Sequence, residues 1–388
     1  MKFKAGLIAL AVAATAAGSV FAQTQGVSKG EIVIGSMQDL SGPVVGYSKP
    51  VKNGMEMRVE EINAAGGIHG RKLKLIIEDH GYDPKKAVLA TQKLVQKDKI
   101  FAMIATMGSP TTLASMPILL DKNILNLFPF SAARETFDPP HRLKYSVFAT
   151  YFDQVRYGMK HLVKQKGYKK VCALYQDDDF GLEIMRGAEA GAKEIGLVLA
   201  EKTTYKRGAT DFSSQIAKMK DSGCELVVLG TIIRETIGSV ATARKLGWGA
   251  DFLGTSAAYT ELIHKLGGPV MNGFYATNNA NIPYLDDASK NVRDWAQRYK
   301  DKYKEDPSVF SVGGYVVIDL FIRVAEKSGP NLTVDSFVST IEKFSLPRDM
   351  FGNDETSFTK TKHLGSNRAR LSQIINGKWT AITDYITD

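Results

Sequence analysis

The chain has 388 residues, 44% of them hydrophobic and 23% charged, which is enough for two or three packed domains and excludes a disordered polypeptide. The formal charge is +9, but the lysines alternate with Asp and Glu along the chain. That distribution describes a solvated surface and no nucleic-acid partner, and it leaves room for attraction to anionic solutes.

Residues 1–22 differ from the rest of the chain. Lys2 and Lys4 precede a small apolar run, and Val20-Phe21-Ala22 is an acceptable cleavage signal. This segment reads as a secretory signal peptide. Its removal takes away Lys2 and Lys4 and so lowers the charge from +9 to +7. No cysteine follows the cleavage site, so no lipid anchor is expected there. The apolar run is too short for an ordinary spanning helix. Only Cys172 and Cys224 are present. One disulfide and two separate buried thiols are equally compatible with them.

The chain then alternates. Strands are predicted over 31–36, 72–78 and 100–106, and helices over 45–63 and 84–97, the second opened by Asp83 and Pro84. A helix over 111–120 and a strand over 123–127 come next. This β-α-β-α-β order describes a parallel sheet covered by helices on both faces. Two strands end in hydroxyl-bearing turns, Met107-Gly108-Ser109-Pro110 and Pro129-Phe130-Ser131-Ala132. In open parallel sheets the crevice at the carboxyl strand ends is where ligands bind. Ser109 just before Pro110 is placed as an N-cap. The free N–H groups of that helix start form an anion site, suited to a small carboxylate.

The alternation restarts at Tyr145. Helices are predicted over 152–166, 181–195, 211–221, 232–246 and 259–266. Strands are predicted over 170–175, 197–203, 225–230, 251–253 and 273–276. Long amphipathic helices over 286–303 and 309–327 and a shorter one over 334–344 come next. The chain ends in a hairpin, 368–375 with 379–386, turned by Asn376-Gly377-Lys378. No low-complexity linker separates the halves, so the chain is expected to cross between two lobes more than once, around a hinged cleft.

Chemistry-bearing motifs are missing. There is no Walker sequence, no G-x-G-x-x-G after a strand, no H-E-x-x-H and no G-x-S-x-G elbow. The histidines at 69, 80, 141, 161, 264 and 363 have no metal-ligand spacing. Asp177-Asp178-Asp179 lacks the spaced donors of a calcium loop and reads as a solvated strand end. Neither cofactor nor metal is expected, and the weight moves from an enzyme to a binder.

Several motifs, in order, resemble the periplasmic solute-binding proteins of the leucine/isoleucine/valine type that serve ATP-driven importers. They are Gln38-Asp39-Leu40-Ser41-Gly42-Pro43 with Tyr47, and Glu61-Ile62-Asn63-Ala64-Ala65-Gly66-Gly67-Ile68 with Gly70-Arg71. Glu78-Asp79 before Asp83-Pro84, Gly108-Ser109 and the run from Tyr175 to Gly181 come after these. Thr210-Asp211-Phe212 and Gly314-Tyr315 complete the set.

The resemblance implies an α/β architecture of two Rossmann-like lobes with a hinged cleft, the type I periplasmic binding protein fold. Lobe 1 would comprise 23–147 plus 278–345, and lobe 2 would comprise 148–277 plus 346–388. It further implies periplasmic location, no enzymatic activity, a monomer, and docking on the membrane permease subunits of an ABC importer. A ligand-sensing receptor of the same fold is the alternative role.

By the same resemblance, Ser109 meets the solute carboxylate, Phe130, Ser131 and Ala132 lie on the same solute, and Tyr47 covers it from the first loop. The second lobe contributes Tyr151, Thr231 and Ser256. Amino-acid-binding members have a Thr at the place of Ala132 and a Glu near Ser256, both holding the ammonium. Neither is here, so Ser131 or Asp153 would have to compensate, or the solute lacks an ammonium group. Phe128, Phe148 and Phe152 join Phe130 and Tyr151 as candidate aromatic walls. Arg134 and Arg234 are further candidates to meet a carboxylate.

Overall fold

The computed structural model describes residues 24–387; the expected signal peptide lies outside them. The first half runs β1 (Glu31–Gln38), α1 (Val45–Ala64), β2 (Lys72–Asp79), α2 (Pro84–Gln96), β3 (Ala102–Ile104), α3 (Ser109–Asp121), β4 (Leu125–Leu127) and β5 (Lys144–Tyr145). The second runs α4 (Tyr151–Lys166), β6 (Val171–Gln176), α5 (Asp179–Glu194), β7 (Glu201–Tyr205), α6 (Ser213–Asp221), β8 (Leu226–Gly230), α7 (Ile233–Lys245), β9 (Asp251–Gly254), α8 (Glu261–Gly267) and β10 (Tyr275–Asn278). Then come α9 (Lys290–Tyr303), α10 (Val309–Lys327), α11 (Val334–Ile341), β11 (Ser345–Leu346), β12 (Thr356–Ser357), β13 (Arg370–Ile375) and β14 (Lys378–Ala381).

Two large sheets organise the molecule. One has the order β2-β1-β3-β4-β5 and is parallel throughout. The other has the order β14-β13-β10-β9-β8-β6-β7, with β13 and β14 antiparallel at one edge. In each, the strand order reverses once, between β1 and β3 and between β6 and β8. Those are the places where a doubly wound sheet opens a crevice at its strand ends. The molecule is mixed α/β with two lobes.

Helices α9, α10 and α11 come after β10 in sequence yet return to the first sheet. The backbones of α1 and α10 approach so closely that a Cβ on Gly54 would lie 2.0 Å from the Ser311 carbonyl oxygen, and one on Gly314 would lie 2.1 Å from that of Val51. Their apolar faces bury Val51, Met55, Val317 and Phe321 completely. The chain therefore passes between the two bodies at 146–150, 279–289 and 342–369.

Most predicted elements are present with shifted ends, and the shifts have local causes. The strand expected over 100–106 shortens to β3 because Ala105 takes φ 59°. The strand expected over 197–203 starts at Glu201. After α5 the chain is still leaving the helix, with the Leu197 N–H bonded to the Ala192 carbonyl, and the ladder opens only at the Ala200 N–H to Val171 carbonyl bond. The helix expected from 286 starts at Lys290, because the Asp287 carboxylate accepts the Ser289 N–H and holds a turn there. At the final hairpin Ile375 pairs with Lys378, and Asn376 and Gly377 both have positive φ, 50° and 73°. That is the twist-matched two-residue turn an Asn-Gly pair favours. Cys172 and Cys224 form a disulfide, with Cα atoms 5.9 Å apart.

Candidate functional site

The first sheet delivers two turns to the gap between the lobes. After β3 the chain reaches Gly108, with φ 92°, and α3 begins at Ser109. Gly108, not Ser109, is the N-cap, and no side chain caps this helix. That corrects the expectation for Ser109. A Cβ at Gly108 would stand 2.4 Å from the Tyr82 ring, so the turn needs glycine for space as well as for φ. The Gly108 N–H donates to the Phe130 carbonyl, and the Phe130 N–H donates to the Thr106 carbonyl, which locks the two turns side by side. Beneath them His80 is buried, which holds its pKa below the usual value. Its Nδ1 accepts the Tyr82 N–H, so Nε2 donates to the Met107 carbonyl at 3.1 Å.

With capping left to the backbone, the Ser109 hydroxyl is free to meet that of Ser131, 2.7 Å away. Ser131 Oγ also accepts the Ala133 N–H at 3.3 Å. One hydroxyl hydrogen is used within the pair, and the other remains available to an incoming acceptor. The N–H groups of Ser109 and Thr111 lie in the first turn of α3, where the helix supplies no acceptor and its dipole favours an anion.

These turns face a cleft whose wall also takes residues from the second lobe. Of the residues expected from the sequence, Tyr47, Ser109, Phe130, Ser131, Ala132, Tyr151 and Ser256 line it. Thr231 does not. It is fully buried and its hydroxyl lies 2.6 Å from that of Thr236, while its neighbour Ile232 faces the cleft instead. Tyr47 stands on the first turn of α1 rather than on a loop.

The lobes touch across this gap through backbone carbonyls. The Tyr47 hydroxyl donates to the Ala257 carbonyl at 2.7 Å. The Tyr151 N–H, at the start of α4, donates to the Ala132 carbonyl at 2.9 Å. Arg207 donates to the Tyr82 carbonyl at 2.8 Å, with its guanidinium 4.7 Å from the Tyr82 ring centre and a second arm on Asp178 at 2.8 Å. Asp178 also caps α5 through the Phe180 and Gly181 N–H groups. Gln154 ties the Ser256 turn down, accepting the Ser256 N–H at 2.9 Å and the Thr277 hydroxyl at 3.1 Å.

The lining is aromatic and uncharged. Tyr47 stacks on Phe310 with centroids 4.5 Å apart, and Phe130 lies 5.7 Å from Phe148 and 6.3 Å from Phe310. Burial pushes the Tyr151 phenol up to about 12, and burial likewise raises Tyr47 and Tyr82. All three are neutral hydroxyls at physiological pH. Among the described residues, no Asp, Glu, Lys, Arg or His lines the cleft.

Asp153 is held by Arg156 at 3.2 Å and by the Thr150 hydroxyl, away from the lining. Glu235 pairs with Arg234 at 2.8 Å, which also occupies that arginine. Arg134 lies over the Phe152 ring at 5.0 Å, and Phe128 packs against Phe358. None of these reaches the cleft wall. Sequence reading missed Tyr82, Phe180, Tyr259, Asn279 and Phe310. They come from separate segments, and only the fold brings them together.

The arrangement is a binding chamber: hydroxyl and amide donors at one helix start, apolar walls, and no paired acid and base. A family profile described as periplasmic binding protein matches residues 31–378. A leucine-, isoleucine-, valine-, threonine- and alanine-binding protein of Pseudomonas aeruginosa is 24% identical over 350 residues, covering 89% of this chain and 90% of that one. The structure of a branched-chain amino acid ABC transporter protein from Thermus thermophilus with bound valine superposes with a TM-score of 0.84 at 18% identity, over 93% of this chain and 98% of the other. A solute-binding protein from R. palustris in complex with benzoate gives a TM-score of 0.80 at 17% identity, over 92% and 98%. With the profile spanning nearly all of the described residues and the same two-lobed fold around the cleft, the chain belongs to the periplasmic binding protein family.

Proposed function

We propose that this protein is the periplasmic solute-binding component of an ABC importer and that it takes a small carboxylate-bearing solute between its lobes. The observation that carries this reading is the Ser109–Ser131 hydroxyl pair at the first turn of α3, set in an aromatic-walled cleft that no charged side chain lines. The solute carboxylate accepts from the free hydroxyl and the first-turn amides. Tyr47, Phe130, Ala132, Tyr151 and Ser256 enclose its body. Residues 1–22 direct export, and the closed monomer docks on membrane permease subunits.

Two solute classes meet this description. Amino acids are favoured by the name of the Pseudomonas relative. Organic acids without an ammonium group are favoured by the lining, because an ammonium there finds no carboxylate. Burying an unpaired charge costs several kcal/mol, so the second class is the better fit. Isothermal titration against branched-chain amino acids and matched aliphatic and aromatic acids tests both. Binding of the acids and not of their primary amides is the expected result. Folded protein that binds no carboxylate overturns the reading.

A further inference from the structure

The cleft does not end at Phe148. A second, smaller cavity lies behind it, and both are lined by Phe148, Asn279 and Asn353. This second chamber is built from all three segments that cross between the lobes. Val316 and Leu346 give it an apolar wall, Ser366 and Tyr385 give it polar corners, and Asp349 and the Asp354–Arg368 ion pair, 2.6 Å long, also line it. At the shared boundary Asn353 is occupied, its Nδ2 donating to Asp349 at 2.8 Å. Asn279 is not: its Oδ1 is buried and accepts no hydrogen bond. An amide oxygen withdrawn from water without a donor is costly, and such a group in a native protein calls for an explanation.

We propose that the two chambers form one binding space and that Asn279 is its distal specificity residue. The inference rests on the carboxylate reading above. With the carboxylate at Ser109 and Ser131, the body of the solute runs between the aromatic walls toward Phe148. A hydrogen-bond donor at its far end then reaches Asn279 Oδ1. The solute class is a carboxylic acid with a hydroxyl at the end remote from the acid, aromatic or aliphatic, longer than a simple branched-chain amino acid. Phe148 sits at the junction as the partition that a longer solute displaces or slides beside.

The test uses matched pairs: 3-phenylpropanoate with 3-(4-hydroxyphenyl)propanoate, and hexanoate with 6-hydroxyhexanoate. By isothermal titration, the wild-type protein is expected to bind the hydroxylated member of at least one pair about ten-fold tighter, the scale of one buried hydrogen bond. Asn279→Leu is expected to abolish that preference, and a cooperative thermal unfolding transition like that of the wild type reports that the variant is folded. Equal affinity within both pairs for wild type, or a preference that survives Asn279→Leu, overturns this inference and leaves the carboxylate reading standing. Binding of neither member of either pair overturns this inference, and the carboxylate reading falls with it only if branched-chain amino acids and the shorter acids also fail to bind. If Asn279→Leu does not fold, the wild-type comparison decides alone.

Discussion

Two helices in the first lobe begin with a polar residue followed by proline, and they use it differently. At α2, Asp83 is extended, with φ −107° and ψ 119°, and its carboxylate accepts the Lys85 and Lys86 N–H groups. At α3 the same local pattern, Ser109-Pro110, is shifted by one residue, because Gly108 at φ 92° takes the cap position and Ser109 falls inside the first turn. Asp83 is spent on its own helix. The Ser109 hydroxyl is released to Ser131 and the cleft. A single glycine thus frees a hydroxyl that would otherwise cap its own helix.

The contrast is broken most severely at the glycine. Gly108→Ala is expected to lower unfolding free energy by about 3 kcal/mol, from positive-φ strain together with the clash against Tyr82. Solute affinity should fall with it, measured by denaturant unfolding and by titration. A loss below about 1 kcal/mol would show that Gly108 does not set the register of α3. Ser109→Ala sharpens the comparison from the other side: affinity should weaken by about 1–3 kcal/mol, with stability nearly unchanged because no cap is lost. Undiminished affinity would remove Ser109 from the site.

The smallest effect is expected at the other helix, where Asp83→Ala should lower stability at neutral pH and leave affinity alone. The Lys86 and Lys85 N–H groups hold the Asp83 carboxyl below its usual range. Its contribution is therefore present above the unfolded value near pH 4 and lost as pH falls through the folded one. Wild type and Asp83→Ala should converge in acid. A gap that persists at low pH would mean that the carboxylate charge is not what caps α2.

The same residues mark how far the sequence alone carries. The alternation of buried strands and amphipathic helices was legible because parallel strands are apolar throughout and helices are striped. Ser109 and Ser131 were legible as neighbours because both sit in hydroxyl-bearing turns at adjacent strand ends. The register was not, since nothing local distinguishes a serine that caps from one displaced by the glycine before it. Thr231 failed for a related reason. Beyond a strand end, one residue of shift exchanges the inward and outward side chains, and here Ile232 took the outward place. Tyr82, Phe310 and Asn279 carry no spacing signal at all. Phe310 and Asn279 depend on crossings between the lobes that lie far apart along the chain, and Tyr82 on which side chain of the loop between β2 and α2 turns to the gap.

Three bonds span the mouth of the cleft, from the Tyr47 hydroxyl, the Tyr151 amide and the Arg207 guanidinium, and each ends on a main-chain oxygen. The acceptors are thus indifferent to which side chains line the interior. Apart from Tyr47, whose own hydroxyl makes one of the three bonds, the wall side chains can be exchanged while the ties between the lobes are kept. The interior can change its selectivity and leave the closed outline as it is.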